Sequence, residues 1–221
     1  MKLNAAQIEE LYVFTRKKYV EHYDVQTELV DHLANSIEEK MSASNINFET
    51  ALQQVYAQFG IFGFSELVEK KGTEAIKKGR YLFRNSILEY FKLPKILLLA
   101  LIFIVCYKVF EVASPDFIAY SFYSIICLFN FMFIIKSIKV KRSVKIPLLQ
   151  FESIHIMSSS FGASIFIFQI FFKSSLPDLN QNYQALLPLF FSVLTIIYLA
   201  EIDVLDKLFN QQKKLYPEAF K

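Results

Sequence analysis

The sequence predicts an all-α protein, a small cytosolic helical bundle followed by a four-helix transmembrane bundle. Three observations lead there. Only five Gly and six Pro occur in 221 residues, too few turn formers for a strand-rich chain. Apolar residues in the N-terminal part recur at helical spacing. Four long apolar runs then follow a basic stretch, most of them approaching or exceeding the roughly 20 residues that cross a bilayer core.

Charge divides the chain further. The net charge of +3 hides an asymmetry. Residues 1–69 hold 5 Lys/Arg against 11 Asp/Glu, a balance of −6, and residues 70–95 hold 8 against 2, a balance of +6. An acidic domain is a poor grip for phosphates, so direct nucleic-acid binding is not expected. Cys106 and Cys127 both lie in apolar runs and read as small buried hydrophobes. They offer no disulfide framework or metal spacing. The N-terminus lacks the apolar run and cleavage site of a signal peptide.

Residues 1–72 are expected to form the acidic domain. Asn4 and Gln7 make a capping-box pattern, so the first helix should run from about Ala5 to Tyr19, with Ile8, Leu11, Tyr12 and Thr15 on one face. The second helix, Asp24 to Met41, gathers Val25, Leu29, Val30, Leu33, Ile37 and Met41 on one side, with Asp24 read as its cap. Asp24, Glu28, Asp31, Glu38 and Glu39 lie on the other side and His32 at the seam. Asn47 should cap a third helix through Thr50, with Ala51, Leu52, Val55, Tyr56 and Phe59 facing inward and Gly60 just past its end. A short helix over about Phe64–Lys71 completes a bundle whose core is thin on its own.

Residues 73–92 read as a basic amphipathic neck helix, with Arg80 and Arg84 beside apolar side chains, suited to an anionic membrane face; the alternative is an exposed continuation of the bundle. Residues 93–204 hold the four expected spans, at about 93–112, 117–135, 148–172 and 185–204, and residues 205–221 form a cytosolic tail. Basic residues cluster before span 1, between spans 2 and 3 (Lys136, Lys139, Lys141, Arg142, Lys145) and in the tail. The other two connections carry almost none. The positive-inside rule therefore places both termini in the cytosol of a multi-pass inner-membrane protein.

Polar groups within spans are the next candidates. Lys108 and Glu111 can pair and snorkel outward. Asn130 is expected to bond to a neighbouring helix. Glu152, His155, Ser159, Gly162 and Gln169 fall near one face of span 3, as a packing surface or a polar cluster near the cytosolic interface, alongside Glu201 and Asp203 of span 4. A local cluster of these carboxylates with Arg142 or Lys145 is the expectation, and a proton or ion relay through Glu152 and His155 the alternative. Catalysis has little support. The three histidines form no HExxH, and no GxSxG or Gly-rich phosphate loop occurs, so no catalytic residue, metal site or cofactor is expected.

Glu28-Leu29-Val30-Asp31-His32-Leu33, then Ile37-Glu38-Glu39, Ala51-Leu52 and the helix-ending Phe59-Gly60 resemble the helix-turn-helix-associated α-helical signalling (HAAS) domain of bacterial membrane proteins. The resemblance covers roughly residues 5–70. Many relatives show a polar residue and Pro after the Phe-Gly pair, where this chain reads Ile61-Phe62-Gly63-Phe64. The resemblance implies a cytosolic domain ahead of transmembrane helices, with a PadR-like transcriptional regulator as partner. The expectation is a non-enzymatic bacterial inner-membrane protein whose cytosolic domain docks a regulator through Asp24, Glu28, Asp31, His32, Glu38 and Glu39. The alternative is an accessory or structural subunit of a larger membrane complex such as a translocase or exporter. The lipid bilayer is a partner in either case, and self-association is open.

Overall fold

The computed structural model describes residues 2–152 and 186–220, and all regular structure among them is helical. In order these are α1 (Ala5–Lys17), α2 (Tyr23–Ser44), α3 (Phe48–Ala57), α4 (Ser65–Glu89), α5 (Lys95–Val112), α6 (Pro115–Ser143), α7 (Leu149–Glu152) and α8 (Leu186–Leu215), then a 3-10 turn at Pro217–Phe220. The chain divides into two compact units. The first comprises Met1–Lys77, Val144–Ser153 and Lys213–Lys221, and the second Lys78–Ser143 and Ile154–Gln212.

Local signals set the first three helices of unit 1. The Asn4 side chain accepts from the Gln7 backbone N–H and the Gln7 side chain from that of Asn4, both at 2.9 Å. This reciprocal capping satisfies two of the orphan donors at the start of α1. The helix stops at Lys17, short of the expected Tyr19, because Tyr19 takes a left-handed conformation with φ 66°. Helix α2 buries Val25, Leu29, Val30, Leu33 and Ile37 to 3% exposure or less. Burying a Val, Leu or Ile side chain stabilises the fold by about 1.5–3 kcal/mol, so this stripe anchors the unit. Asn47 caps α3 at 2.9 Å from the Thr50 N–H, and Gly60 is left-handed at φ 69°.

The fourth element corrects an expectation. No break separates a short helix from a neck, since α4 is continuous from Ser65 to Glu89. Gly72 costs the helix interior about 1 kcal/mol, which one residue cannot turn into a boundary. The Thr73 hydroxyl donates back to the Lys70 carbonyl at 2.7 Å, within the same helix.

Segments remote in sequence thicken the core of unit 1. Leu149 joins the apolar cluster built by α1, α2 and α3. Gln150 is buried, and its amide donates to the Ala75 carbonyl at 3.1 Å. The Lys145 backbone N–H donates to the Ala219 carbonyl at 2.8 Å, and Phe151 meets the edge of Phe220.

In unit 2, aromatic side chains fill the interior. Phe122 is fully buried against Phe190 and Phe191, and Phe129 stacks on Tyr198 at 5.2 Å. Two helical stretches, Tyr120–Ser143 and Pro188–Leu215, are long and apolar enough to cross a membrane. Only 17% of the apolar window in the first is buried within the protein. Helix α5 buries none of its residues, and Cys127 is exposed on α6 rather than buried.

Candidate docking face on the acidic helix

Helix α2 turns its apolar stripe inward, so its acidic side chains must face outward or find partners. Asp24 has found one far away in sequence. Its carboxylate accepts from the backbone N–H of Leu149 at 2.9 Å and of Gln150 at 3.2 Å, the first two residues of α7. These donors have no intrahelical acceptor, and a negative charge suits the positive end of a helix. The arrangement is reciprocal. The N–H of Tyr23, first residue of α2, donates to the Pro147 carbonyl at 2.9 Å. Asp24 therefore does not cap its own helix. His22 holds that position without a side-chain cap bond, and its Nε2 lies 2.8 Å from Glu152 Oε1. Glu152 is thus partnered by His22 and not by Arg142 or Lys145.

Two more acidic residues are engaged within unit 1. Glu28 accepts from the Lys71 ammonium at 2.6 Å, with Glu74 on the same ammonium at 3.2 Å. The hydrogen bond to Glu28 is the main cause that raises the Lys71 pKa above its ordinary value, and Glu74 adds to it. Glu38 accepts from the Leu3 backbone N–H at 2.9 Å and ties the N-terminal segment down. Near Asp24 and Glu28, the Tyr216 phenol is raised first by burial and then by those two negative charges.

Asp31, His32, Asn35 and Glu39 remain exposed. Asp31, Asn35 and Glu39 are four apart, so they line one side of the helix, with His32 beside them. This strip is polar, carries two carboxylates and stands on a helix whose other side is fully buried. A rigid backbone presenting a narrow acidic edge suits recognition of a basic surface.

The other expected site residues fall elsewhere. Arg80 and Arg84 are exposed on α4, with the Arg84 guanidinium 5.6 Å from the Tyr81 ring centre. Lys139, Lys141 and Arg142 are exposed near the end of α6, where positive charge suits the helix C-terminus. Lys145 is exposed in unit 1. The Asn130 amide donates to the Ile126 carbonyl of its own helix at 2.9 Å, and among the described residues it makes no bond to a neighbouring helix. Lys108 and Glu111 pair at 2.8 Å, and Glu201 is buried. His155, Ser159, Gly162 and Gln169 lie outside the described residues.

One cluster escaped the sequence reading. In unit 2, Lys207 donates to both Glu89 oxygens, at 2.8 and 2.9 Å, and to Ser86 at 3.0 Å. Asp203 accepts from Tyr90 at 3.1 Å and from Lys95 at 3.2 Å. The hydrogen bond from Lys207 lowers the Glu89 pKa. The only available signal was that opposite charges stand at the ends of apolar runs far apart in the chain. Among the described residues no group of three or more His, Cys, Asp or Glu could hold a metal ion.

No family model, no curated protein and no solved structure matches the chain.

Proposed function

We propose that this is a non-enzymatic, multi-pass bacterial inner-membrane protein whose cytosolic helical domain docks a regulatory partner. The observation that carries the reading is the make-up of unit 1. The N-terminal domain, the loop around residue 145 and the C-terminal tail are the segments that charge assigns to one side of the membrane, and all three contribute to one compact unit. Helices α5, α6 and α8 cover three of the four expected spans. An apolar helix such as α5 with no buried residue suits lipid better than water. The four-span arrangement and a cytosolic location for both termini follow from this reading.

The docking strip is Asp31, His32, Asn35 and Glu39. Asp24, Glu28 and Glu38 support it by fixing α2 against the rest of unit 1. The partner is a soluble regulator with a basic surface, of the PadR-like kind that the HAAS resemblance implies. The test is co-purification of the full chain with a co-expressed PadR-like regulator from the same genome. Reversing Asp31 and Glu39 to Lys is expected to weaken capture at low salt. Undiminished capture would remove the acidic strip from the account.

A second reading rests on the bare apolar flank of α5, which also suits a helix of an integral-membrane partner or of a second copy of this chain. Stable membrane partners in a detergent pull-down, with no soluble regulator, would favour an accessory subunit of a larger complex.

A further inference from the structure

We propose that the turn carrying Ile61 and Phe62 is a second contact of unit 1, made with an anionic lipid surface. Ile61 is 100% exposed and Phe62 75%, while Tyr19 is 88% exposed. Large apolar groups this bare on a well-built turn mark an interaction site. The turn is held from both ends. Gly60 and Gly63 both take positive φ, at 69° and 54°, and the Gly63 N–H donates to the Gly60 carbonyl at 3.3 Å. Behind it, Tyr56 sits so close to Gly63 that a Cβ there would lie 2.7 Å from the phenol oxygen. Tyr56 packs edge-on against both Phe14 and Phe64.

The same Tyr56 ring supplies the charge argument. The Lys18 ammonium lies 4.6 Å from its centre, so the basic end of α1 and the apolar turn meet on one side chain. Arg16, Lys17 and Lys18 are all exposed. Arg16 is paired with Glu9 at 3.4 Å, which leaves Lys17 and Lys18 as the main positive charges. Glu66, in the first turn of α4, is the acidic residue nearest to the turn in sequence. The rest of residues 1–69 is acidic and Glu21 is exposed three residues after Lys18, so an anionic leaflet favours the orientation that turns Lys17 and Lys18 toward it over the others. An aliphatic and an aromatic tip with a Lys close by is also a composition that settles at a headgroup boundary. The inference rests on the membrane anchorage proposed above, because the chain's own spans keep a bilayer within reach.

The chain contains no tryptophan, so Phe62→Trp gives a single indole reporter at an exposed position. The full chain carrying Phe62→Trp would be placed in nanodiscs of phosphatidylcholine with or without phosphatidylglycerol. Nitroxide-labelled lipids would report contact with the bilayer, and iodide would report contact with water. The expected result is blue-shifted emission quenched by shallow nitroxides in the phosphatidylglycerol discs, with less contact as salt rises. Lys17→Glu should weaken partitioning by about fivefold or more, since each lysine near an anionic leaflet contributes about that factor. Water-like emission with full iodide access in both discs would overturn the proposal. So would a blue shift that depends on two copies per disc or on an added acidic protein rather than on lipid. Failure of the chain to enter discs at all is a separate readout and would count against the membrane reading itself.

Discussion

The carboxylate of Asp24 accepts a hydrogen bond from the backbone N–H of Leu149, a residue 125 positions away. Through this bond and its neighbour at Gln150, the first turn of α2 caps the start of α7. Asp24→Ala removes both acceptors and leaves two helix-terminal donors unmatched. Such cap losses cost about 0.5–2 kcal/mol. Thermal unfolding of the full chain in detergent should show a lower Tm for Asp24→Ala, and Asp24→Asn should fall between it and the parent. An unchanged Tm for the alanine variant would mean the bond is unimportant.

The Lys71 ammonium bridges Glu28 and Glu74. Its pKa is raised above the ordinary value of 10.5, so its contribution to stability is full below pH 10.5 and is lost as pH rises through the folded pKa. The Glu28 side chain is 44% exposed, which limits the pair to about 1 kcal/mol or less. Lys71→Met should therefore lower stability slightly and uniformly across neutral pH. On the alkaline side the difference from the parent should shrink only as Lys71 loses its proton, as followed by chemical denaturation. A difference that vanishes near neutrality would contradict the assignment.

Two glycines flank the Ile61-Phe62 turn under unequal constraints. Gly60 has nothing within 4 Å of an added Cβ, whereas at Gly63 that Cβ would press on Tyr56. Gly60→Ala has only the left-handed conformation to accommodate, about 1–2 kcal/mol. Gly63→Ala adds the collision with a ring already packed against Phe14 and Phe64, so it should destabilise more. Urea unfolding of the two variants gives the order directly, and equal losses would show that Tyr56 yields freely.

In unit 2, Tyr90 is 5% exposed. Burial, then the charge of Asp203 and the hydrogen bond to it, pushes its phenol up to about 12. A raised phenol contributes fully below the ordinary value of 10.0 and loses that contribution as pH rises through about 12. In a tyrosinate absorbance titration, Tyr90→Phe should remove amplitude from the high end of the curve and leave the part near pH 10 unchanged. Loss of amplitude near pH 10 instead would place Tyr90 in contact with water.

The sequence made local structure legible and distant pairing illegible. Asn4, Asn47 and Gly60 act on neighbours a few residues away, so their roles could be read from spacing. The stripe from Val25 to Ile37 could be read from helical periodicity. The bond of Asp24 to Leu149, that of Glu38 to Leu3 and the approach of His22 to Glu152 depend on how the chain returns on itself. No local pattern encodes them. Asp24, Glu28 and Glu38 looked equivalent to Asp31 and Glu39 because periodicity identifies a face and not what lies against it. The expected break near residue 72 failed for the converse reason. A single Gly weakens a helix, but packing on either side of it decides whether the helix continues.

The most direct test of the central claim is sidedness. In a background with Cys106 and Cys127 replaced by Ala, single cysteines would be placed at the exposed positions Asn35, Lys145 and Lys214. Labelling by a membrane-impermeant maleimide would be compared in inside-out and right-side-out bacterial vesicles. All three are expected to label in inside-out vesicles and none in right-side-out vesicles, since all three belong to one compact unit whose proposed location is the cytosol. Labelling of Lys145→Cys or Lys214→Cys from the side opposite to Asn35→Cys would contradict it.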